Sequence, residues 1–159
     1  MAGMTDWIDQ ELKRQELEVD QDELAKRRRL HQDEVVKDKG RNLLNQLTGA
    51  VAELVNEYQS RTADHPQKRV NFTEQPSGGF VLEKPFYPAG RVTCVLDEEQ
   101  GIISSTIVLT PDKSSGRRQH LRFDITVDQH DEVSIVHDGV QLALPKAAEI
   151  LIRPVLFPR

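Results

Sequence analysis

Histidine and carboxylate side chains are the groups in this sequence that could hold a metal ion. Three of the histidines fall in or beside neighbouring predicted strands, close to Asp128 and Asp131; they are His120, His130 and His137. A metal site needs several such ligands to converge on one point, and no HxH or HxxxH spacing occurs. Strand alternation turns His120 to the polar side and His137 to the apolar side. The sequence therefore predicts no metal site and no cofactor.

Nucleophilic catalysis also lacks a recognisable pattern. The chain contains no GxSxG sequence and no glycine-rich phosphate loop. The carboxylate pairs at 97–99 and 131–132 lie in predicted turns, where solvated charge is expected. Cys94 is the only cysteine, and its apolar strand pattern predicts a buried, unreactive thiol. We therefore expect no catalytic residues. An enzyme whose site is spread over several strands is a further alternative.

One basic cluster, residues 26–29, could contact nucleic acid. The net charge of the chain is −5, and acidic residues precede and follow the cluster at 16–23 and 33–34. This alternation is typical of a solvated or partner-facing helix surface, so we expect no nucleic-acid partner. The acid–base–acid blocks could also pair between two antiparallel copies of the chain.

The N-terminal segment contains a sparse set of apolar residues at helical spacing. No proline or glycine occurs from Asp6 to Lys39, and Thr5 or Asp6 could cap a helix. We define the N-terminal apolar face as four residues, three of which recur at intervals of eleven: Ile8, Leu12, Val19 and Leu30. This face predicts homo-association, or contact with another protein. The alternatives are a segment that folds back on its own domain and one that stays disordered.

A stronger apolar stripe predicts the central helix of the fold. Its members recur at helical spacing, with polar residues on the other side: Val36, Leu43, Leu47, Val51, Leu54 and Tyr58. We expect this helix to end between Ser60 and His65, because Pro66 disfavours helical geometry before it. Gly40 suggests a break or kink at 38–41 that gives a helical hairpin. Alternatively, one helix continues through Gly40, with Gly40 and Gly49 allowing another backbone to approach.

After Pro66 the apolar period changes to two, which predicts strands. The candidates are Arg69–Gln75, Phe80–Lys84, Gly90–Leu96, Ile102–Thr110, Arg118–Asp128, Glu132–His137 and Val140–Leu144. Short connectors favour an antiparallel meander, and Asp138-Gly139 is the strongest hairpin signal. Residues 145–153 then suit a short helix that Pro154 would stop. The apolar end at 155–157 requires cover.

These patterns together predict an α+β fold. We expect a long N-terminal helix or helical hairpin packed on one antiparallel meander sheet of six to seven strands, with a short C-terminal helix. Residues 1–39 form a polar helical arm. Residues 40–159 form the α+β domain, with a core helix to about 60, the sheet at 69–144 and the last helix at 145–153.

The predicted function is that of a non-enzymatic interaction or assembly module, which associates with itself through its N-terminal helix. The alternative is a small-ligand or lipid-binding domain with a cavity between the sheet and the helices. Residues 1–30 contain no apolar run suited to a signal peptide, and no stretch reaches the roughly 20 apolar residues of a membrane span. We therefore expect a cytoplasmic protein without a membrane partner.

Overall fold

The computed structural model describes residues 5–112 and 115–158. It has the predicted α+β fold, with a long N-terminal helix, a seven-stranded antiparallel sheet and a short C-terminal helix. The elements are α1 (Asp6–Arg61), a 3-10 turn (Pro66–Lys68), β1 (Asn71–Glu74), β2 (Phe80–Lys84), β3 (Ala89–Asp97), β4 (Ile102–Asp112), β5 (Ser115–Val127), β6 (Val133–His137), β7 (Val140–Leu142) and α2 (Leu144–Leu156). The contacts divide the chain into one unit that ends at Glu34 and a second that begins at Val35.

Helix α1 begins and ends within the predicted limits. The Thr5 carbonyl accepts hydrogen bonds from the amides of Ile8 (3.1 Å) and Asp9 (3.2 Å), which starts the helix. Asp6 and Asp9 place negative charge in the first turn, where the helix dipole favours it. The helix ends at Arg61, five residues before Pro66.

The predicted helical hairpin at 38–41 is wrong, because α1 continues without interruption through Gly40. One internal glycine costs only about 1 kcal/mol relative to alanine, and burial of the flanking stripe outweighs that cost. Gly40 itself is buried: a Cβ there would lie 3.5 Å from Ile125 Cδ1 and 3.7 Å from a Leu96 methyl group. A Cβ at Gly40 would thus make ordinary van der Waals contacts with sheet side chains, and nothing lies within 4 Å of a Cβ at Gly49, so neither position requires glycine for close approach.

The seven strands pair in sequence order, each antiparallel to the next. The turn at Asp138-Gly139 forms as predicted. Asp138 (φ 50°) and Gly139 (φ 77°) both have positive φ, and His137 pairs with Val140 across the turn. These angles are those of the two-residue hairpin turn that matches the twist of the strands.

The hairpin of β4 and β5 extends farther than predicted. The sequence suggested a connector at 111–116, but β4 reaches Asp112 and β5 starts at Ser115. Lys113 and Ser114 lie outside the described residues. The pairing register shifts between Leu109 and Asp112, so the polar end of the hairpin accommodates an irregularity while its backbones stay paired.

The inner face of the sheet packs against both helices. The largest fully buried side chains come from α1, the sheet and α2, and include Leu44, Leu47, Phe80, Leu82, Ile103, Ile107, Phe123, Ile135 and Leu151. Leu43 and Tyr58 are buried as predicted. Leu54 is only half-buried, so its predicted burial is wrong; it lines an open groove described below.

Strand β5 shows the two-residue alternation that its apolar pattern predicts. Phe123 and Ile125 are buried in the core, and Leu121 and Val127 pack against it half-buried. Arg122 and Thr126 are exposed on the opposite face, and Arg122 Nε pairs with Asp124 Oδ1 at 3.1 Å. The alternation therefore separates a covered face of the sheet from an open one.

The predicted end of the C-terminal helix at residue 153 is wrong. Helix α2 continues through Pro154 to Leu156. Proline removes one backbone donor from the helix, but the last turn still closes through the Phe157 amide, which donates to the Arg153 carbonyl at 2.9 Å. Leu151 and Val155 are fully buried on either side of Pro154. Burial of this apolar face stabilises the helix past the proline and covers Val155 and Leu156. Phe157 stays 60% exposed, so the predicted cover of 155–157 is only partly formed.

Neither α-helix in the described residues combines the length and the apolar character that a membrane crossing needs.

Candidate functional site

The N-terminal apolar face lies on α1, within the unit that ends at Glu34, and every described residue of that unit is exposed. The exposed fractions of Ile8, Leu12, Val19 and Leu30 are 41%, 53%, 57% and 57%. Their helical steps of four, seven and eleven residues bring them to one side of α1. Large apolar side chains in such number on one exposed helix surface are typical of an interaction site.

Charged residues surround the N-terminal apolar face. Arg14 pairs along the helix with Glu11 (3.8 Å) and with Glu18 (3.5 Å). The basic cluster 26–29 is exposed and follows the acidic stretch 16–23 in the same helix. The helix surface is therefore divided into blocks of opposite charge.

The two strand histidines face opposite sides of the sheet, as predicted. His120 Nδ1 lies 3.3 Å from Thr106 Oγ1 on the open face. The His137 ring packs edge-on against Phe123, with ring centroids 5.2 Å apart, and its Nδ1 lies 3.2 Å from the Arg122 carbonyl. Within residues 5–112 and 115–158, no three histidine, cysteine, aspartate or glutamate side chains come together in a way that could hold a metal ion.

Cys94 is buried in β3, as the sequence predicts. Burial raises the pKa of its thiol to about 11, an effect that the Ser105 hydroxyl partly offsets. Because the thiolate is the reactive form, the fold disfavours reaction at this residue.

We expect the Cys94 thiol to react slowly in the native protein. At pH 8 the raised pKa lowers the thiolate fraction about 100-fold relative to an ordinary thiol, and burial blocks access further. Rates of labelling with an aromatic disulfide reagent, in native buffer and in denaturant, measure the difference. Equal rates under the two conditions would show that Cys94 is accessible in the folded chain.

A groove of about 1000 Å³ lies where the C-terminal end of α1 meets α2 and the end of β2. Its apolar walls are Leu54, Tyr58, Ile152, Leu156 and Phe157. The rings of Tyr58 and Phe157 meet edge-on with centroids 5.7 Å apart. Burial raises the pKa of the Tyr58 hydroxyl above its ordinary value. Both helices, the turn after α1 and the end of β2 contribute residues to the lining of this groove.

The groove also has an unbalanced set of charges. Its two acids are both paired within a helix, Glu57 with Arg61 and Glu149 with Arg153. Lys68 and Lys84 also line the groove, and neither forms an ion pair with another described residue. The groove therefore has positive charge beyond what its own acids neutralise.

Lys84 is the least expected member of the groove, because it is a lysine that is only 5% exposed. It follows Phe80 and Leu82 on the inner face of β2, and its Nζ donates to the Pro88 carbonyl at 2.9 Å. Burial lowers the pKa of Lys84, and the positive charge of Lys68 lowers it further. Lys84 was not among the site residues predicted from the sequence, although the alternation of Phe80, Leu82 and Lys84 places a lysine on the inner face of the strand.

Lys68 reaches the groove because the chain turns sharply after α1. Pro66 starts the 3-10 turn, and the Arg69 amide closes it on the Pro66 carbonyl. Gln59 Nε2 on α1 donates to the Val70 carbonyl at 2.8 Å. This hydrogen bond holds the segment that follows the turn against α1. Sequence periodicity could not predict this position, because it depends on the path of an irregular segment.

Comparison with protein-family models, with curated proteins and with solved structures finds no match to this chain. A functional conclusion must therefore come from its own side chains.

Proposed function

We propose that this protein is a non-enzymatic assembly module that joins two copies of itself through the N-terminal apolar face. The observation that supports this function is the exposure of all four residues of the face on one helix. Residues 6–34 span about 43 Å of helix, which is long enough for an extended helix–helix contact.

Helix formation itself favours this interpretation. Most helical stability in proteins comes from burying an apolar face, and isolated helices are marginal in water. Between Thr5 and Glu34 every described side chain is exposed in the single chain. A second copy would bury Val19 and Leu30 of this face and stabilise the helix that carries them.

Charge favours an antiparallel arrangement of the two copies. When Val19 stands opposite Leu30 of the second copy, Glu23 stands opposite Lys26 on the same side of the helix. Residues 15–34 of the two N-terminal units overlap in this register, so the contact buries Val19 and Leu30, and Ile8 and Leu12 lie outside the overlap. The same arrangement places the acidic residues 20–23 alongside the basic residues 26–29 of the other copy. A parallel arrangement in register would instead place like charges side by side, which is unfavourable.

The mass of the full chain in solution tests the proposal. At roughly 50 μM, a concentration at which a micromolar contact is mostly formed, we expect a dimer by light scattering or sedimentation equilibrium. Leu30→Glu should give a monomer, because it places a charge in the buried face. Leu17→Glu is the matched control: Leu17 is also exposed (61%, against 57% for Leu30), but it lies on the other side of the helix.

Charge exchange tests the orientation. Glu23→Lys should weaken the dimer by bringing two lysines together, and adding Lys26→Glu to the same chain should restore it. A monomeric wild-type chain would overturn the proposed assembly. Equal effects of Leu17→Glu and Leu30→Glu would show that the contact does not use the N-terminal apolar face.

A further inference from the structure

We infer that the groove between the C-terminal end of α1 and α2 binds a fatty carboxylate, with its head group at Lys84 and Lys68 and its alkyl chain along the apolar walls. This site is separate from the N-terminal apolar face, and the inference does not depend on the proposed assembly.

The buried lysine is the first argument for an anionic ligand. A charged ammonium group is costly to bury unless a counter-charge or several acceptors compensate it. An ammonium has three donors, and within residues 5–112 and 115–158 the Lys84 Nζ forms one hydrogen bond, to the Pro88 carbonyl. A carboxylate in the groove would accept from a second donor and would offset the repulsion from Lys68.

The paired acids are the second argument. Glu57 and Glu149 already have Arg61 and Arg153 as partners, so neither is a ready counter-ion for the two lysines. A positively charged ligand would meet Lys68 and Lys84 without compensation. The charge balance of the groove therefore selects for a negative head group.

The apolar walls of the groove indicate that the rest of the ligand, beyond its head group, is apolar. Leu54 is half-buried and Phe157 is 60% exposed, so apolar surface remains open to a ligand beside the buried Ile152 and Leu156. The volume of about 1000 Å³ is at the upper end for small-molecule pockets. A single alkyl chain could cover these walls while its head group reaches the lysines.

A carboxylate fits the described donors better than a phosphate does. Phosphate sites generally rely on arginine forks or on runs of backbone amides. The two arginines of the groove are held by the two glutamates, which leaves two ammonium groups for the head group. We therefore commit to the carboxylate, and a phosphate head group becomes an outcome of the test.

Calorimetric titration of the full chain with dodecanoate, below its micelle concentration, tests the inference. We expect saturable binding that is at least about tenfold tighter than that of dodecanol or of dodecyltrimethylammonium. Acetate should show no saturable binding. Lengthening the chain by one methylene should tighten binding by up to about fourfold, the effect of burying that group.

Three variants locate the site. Lys84→Met keeps the length of the buried side chain without its charge and should weaken dodecanoate binding about tenfold or more while leaving dodecanol binding unchanged. Lys37→Met is the matched control, because Lys37 is exposed and is not part of the groove. Lys68→Met changes an exposed residue, so it tests the head-group site even if Lys84→Met fails to fold; circular dichroism and a thermal melt report on folding.

Several results would overturn the inference. These are an absence of saturable dodecanoate binding, equal binding of dodecanol and dodecanoate, and equal effects of Lys37→Met and Lys68→Met. Tighter binding of dodecyl phosphate than of dodecanoate would overturn the choice of the carboxylate. None of these results depends on the mass of the chain, so the failure of this site and the failure of the assembly are distinguishable.

Discussion

Replacing Phe123 with aspartate is expected to unfold the α+β domain. Phe123 is fully buried at the centre of β5, where its ring meets His137. Removing a buried phenylalanine side chain costs about 3–5 kcal/mol, and an unpaired carboxylate in the same space adds a further desolvation cost. This sum approaches the total stability of a typical domain, about 5–15 kcal/mol.

Arg122→Asp is the matched control for this prediction. Arg122 is the preceding residue of the same strand, but its side chain is 63% exposed on the open face of the sheet. Loss of its surface pair with Asp124 should cost at most about 1 kcal/mol. Thermal melts of the two variants followed by circular dichroism make the comparison, and a greater loss with Arg122→Asp would show that the two faces of β5 are reversed.

The second large effect is expected from Leu47→Ala in α1. Leu47 is fully buried between the helix and the sheet, so truncation removes apolar contacts and leaves a cavity. Leucine-to-alanine changes at such sites cost about 3–5 kcal/mol. Denaturant unfolding of the full chain gives the loss from the change in midpoint and slope.

Substitutions at two other α1 positions serve as comparisons for the stability loss of Leu47→Ala. Gln46→Ala changes an exposed neighbour and should alter the free energy of unfolding by less than about 0.5 kcal/mol. Leu54→Ala should cost less than Leu47→Ala, because Leu54 is half-buried at the groove. A loss below 1 kcal/mol for Leu47→Ala would contradict the packing of α1 on the sheet.

Apolar periodicity was sufficient to predict the elements of this fold. The stripe at 36–58 and the alternation at 121–127 each specify one buried face, and short turns restrict the order of the strands. The wrong predictions of helix ends and breaks lie where burial of neighbouring apolar side chains outweighs the low helix propensity of a single residue. Gly40 and Pro154 both weaken a helix, yet both lie within continuous helices because their apolar neighbours are buried.

The sites were less predictable than the fold. The N-terminal apolar face was visible from spacing alone, because its residues are close in sequence on one helix. The groove combines the end of α1, the turn at 66–68, β2 and α2, so its residues come together only through tertiary structure. Lys84 was the groove residue whose orientation the sequence indicated, because strand alternation places it on the inner face of β2. The alternation does not show that a groove lies beside that residue.

The sheet tapers, because its strands are longest at the centre and become shorter toward both edges. Strands β4 and β5 contain eleven and thirteen residues, whereas the edge strands β1 and β7 contain four and three. An edge strand presents unpaired backbone groups on which a strand from another molecule can add, and a short edge gives such a strand few bonds. Copies of this domain held at high local concentration would therefore have little tendency to fuse into a continuous sheet. The taper thus leaves little backbone edge at the place where antiparallel sheets are most open to strand addition.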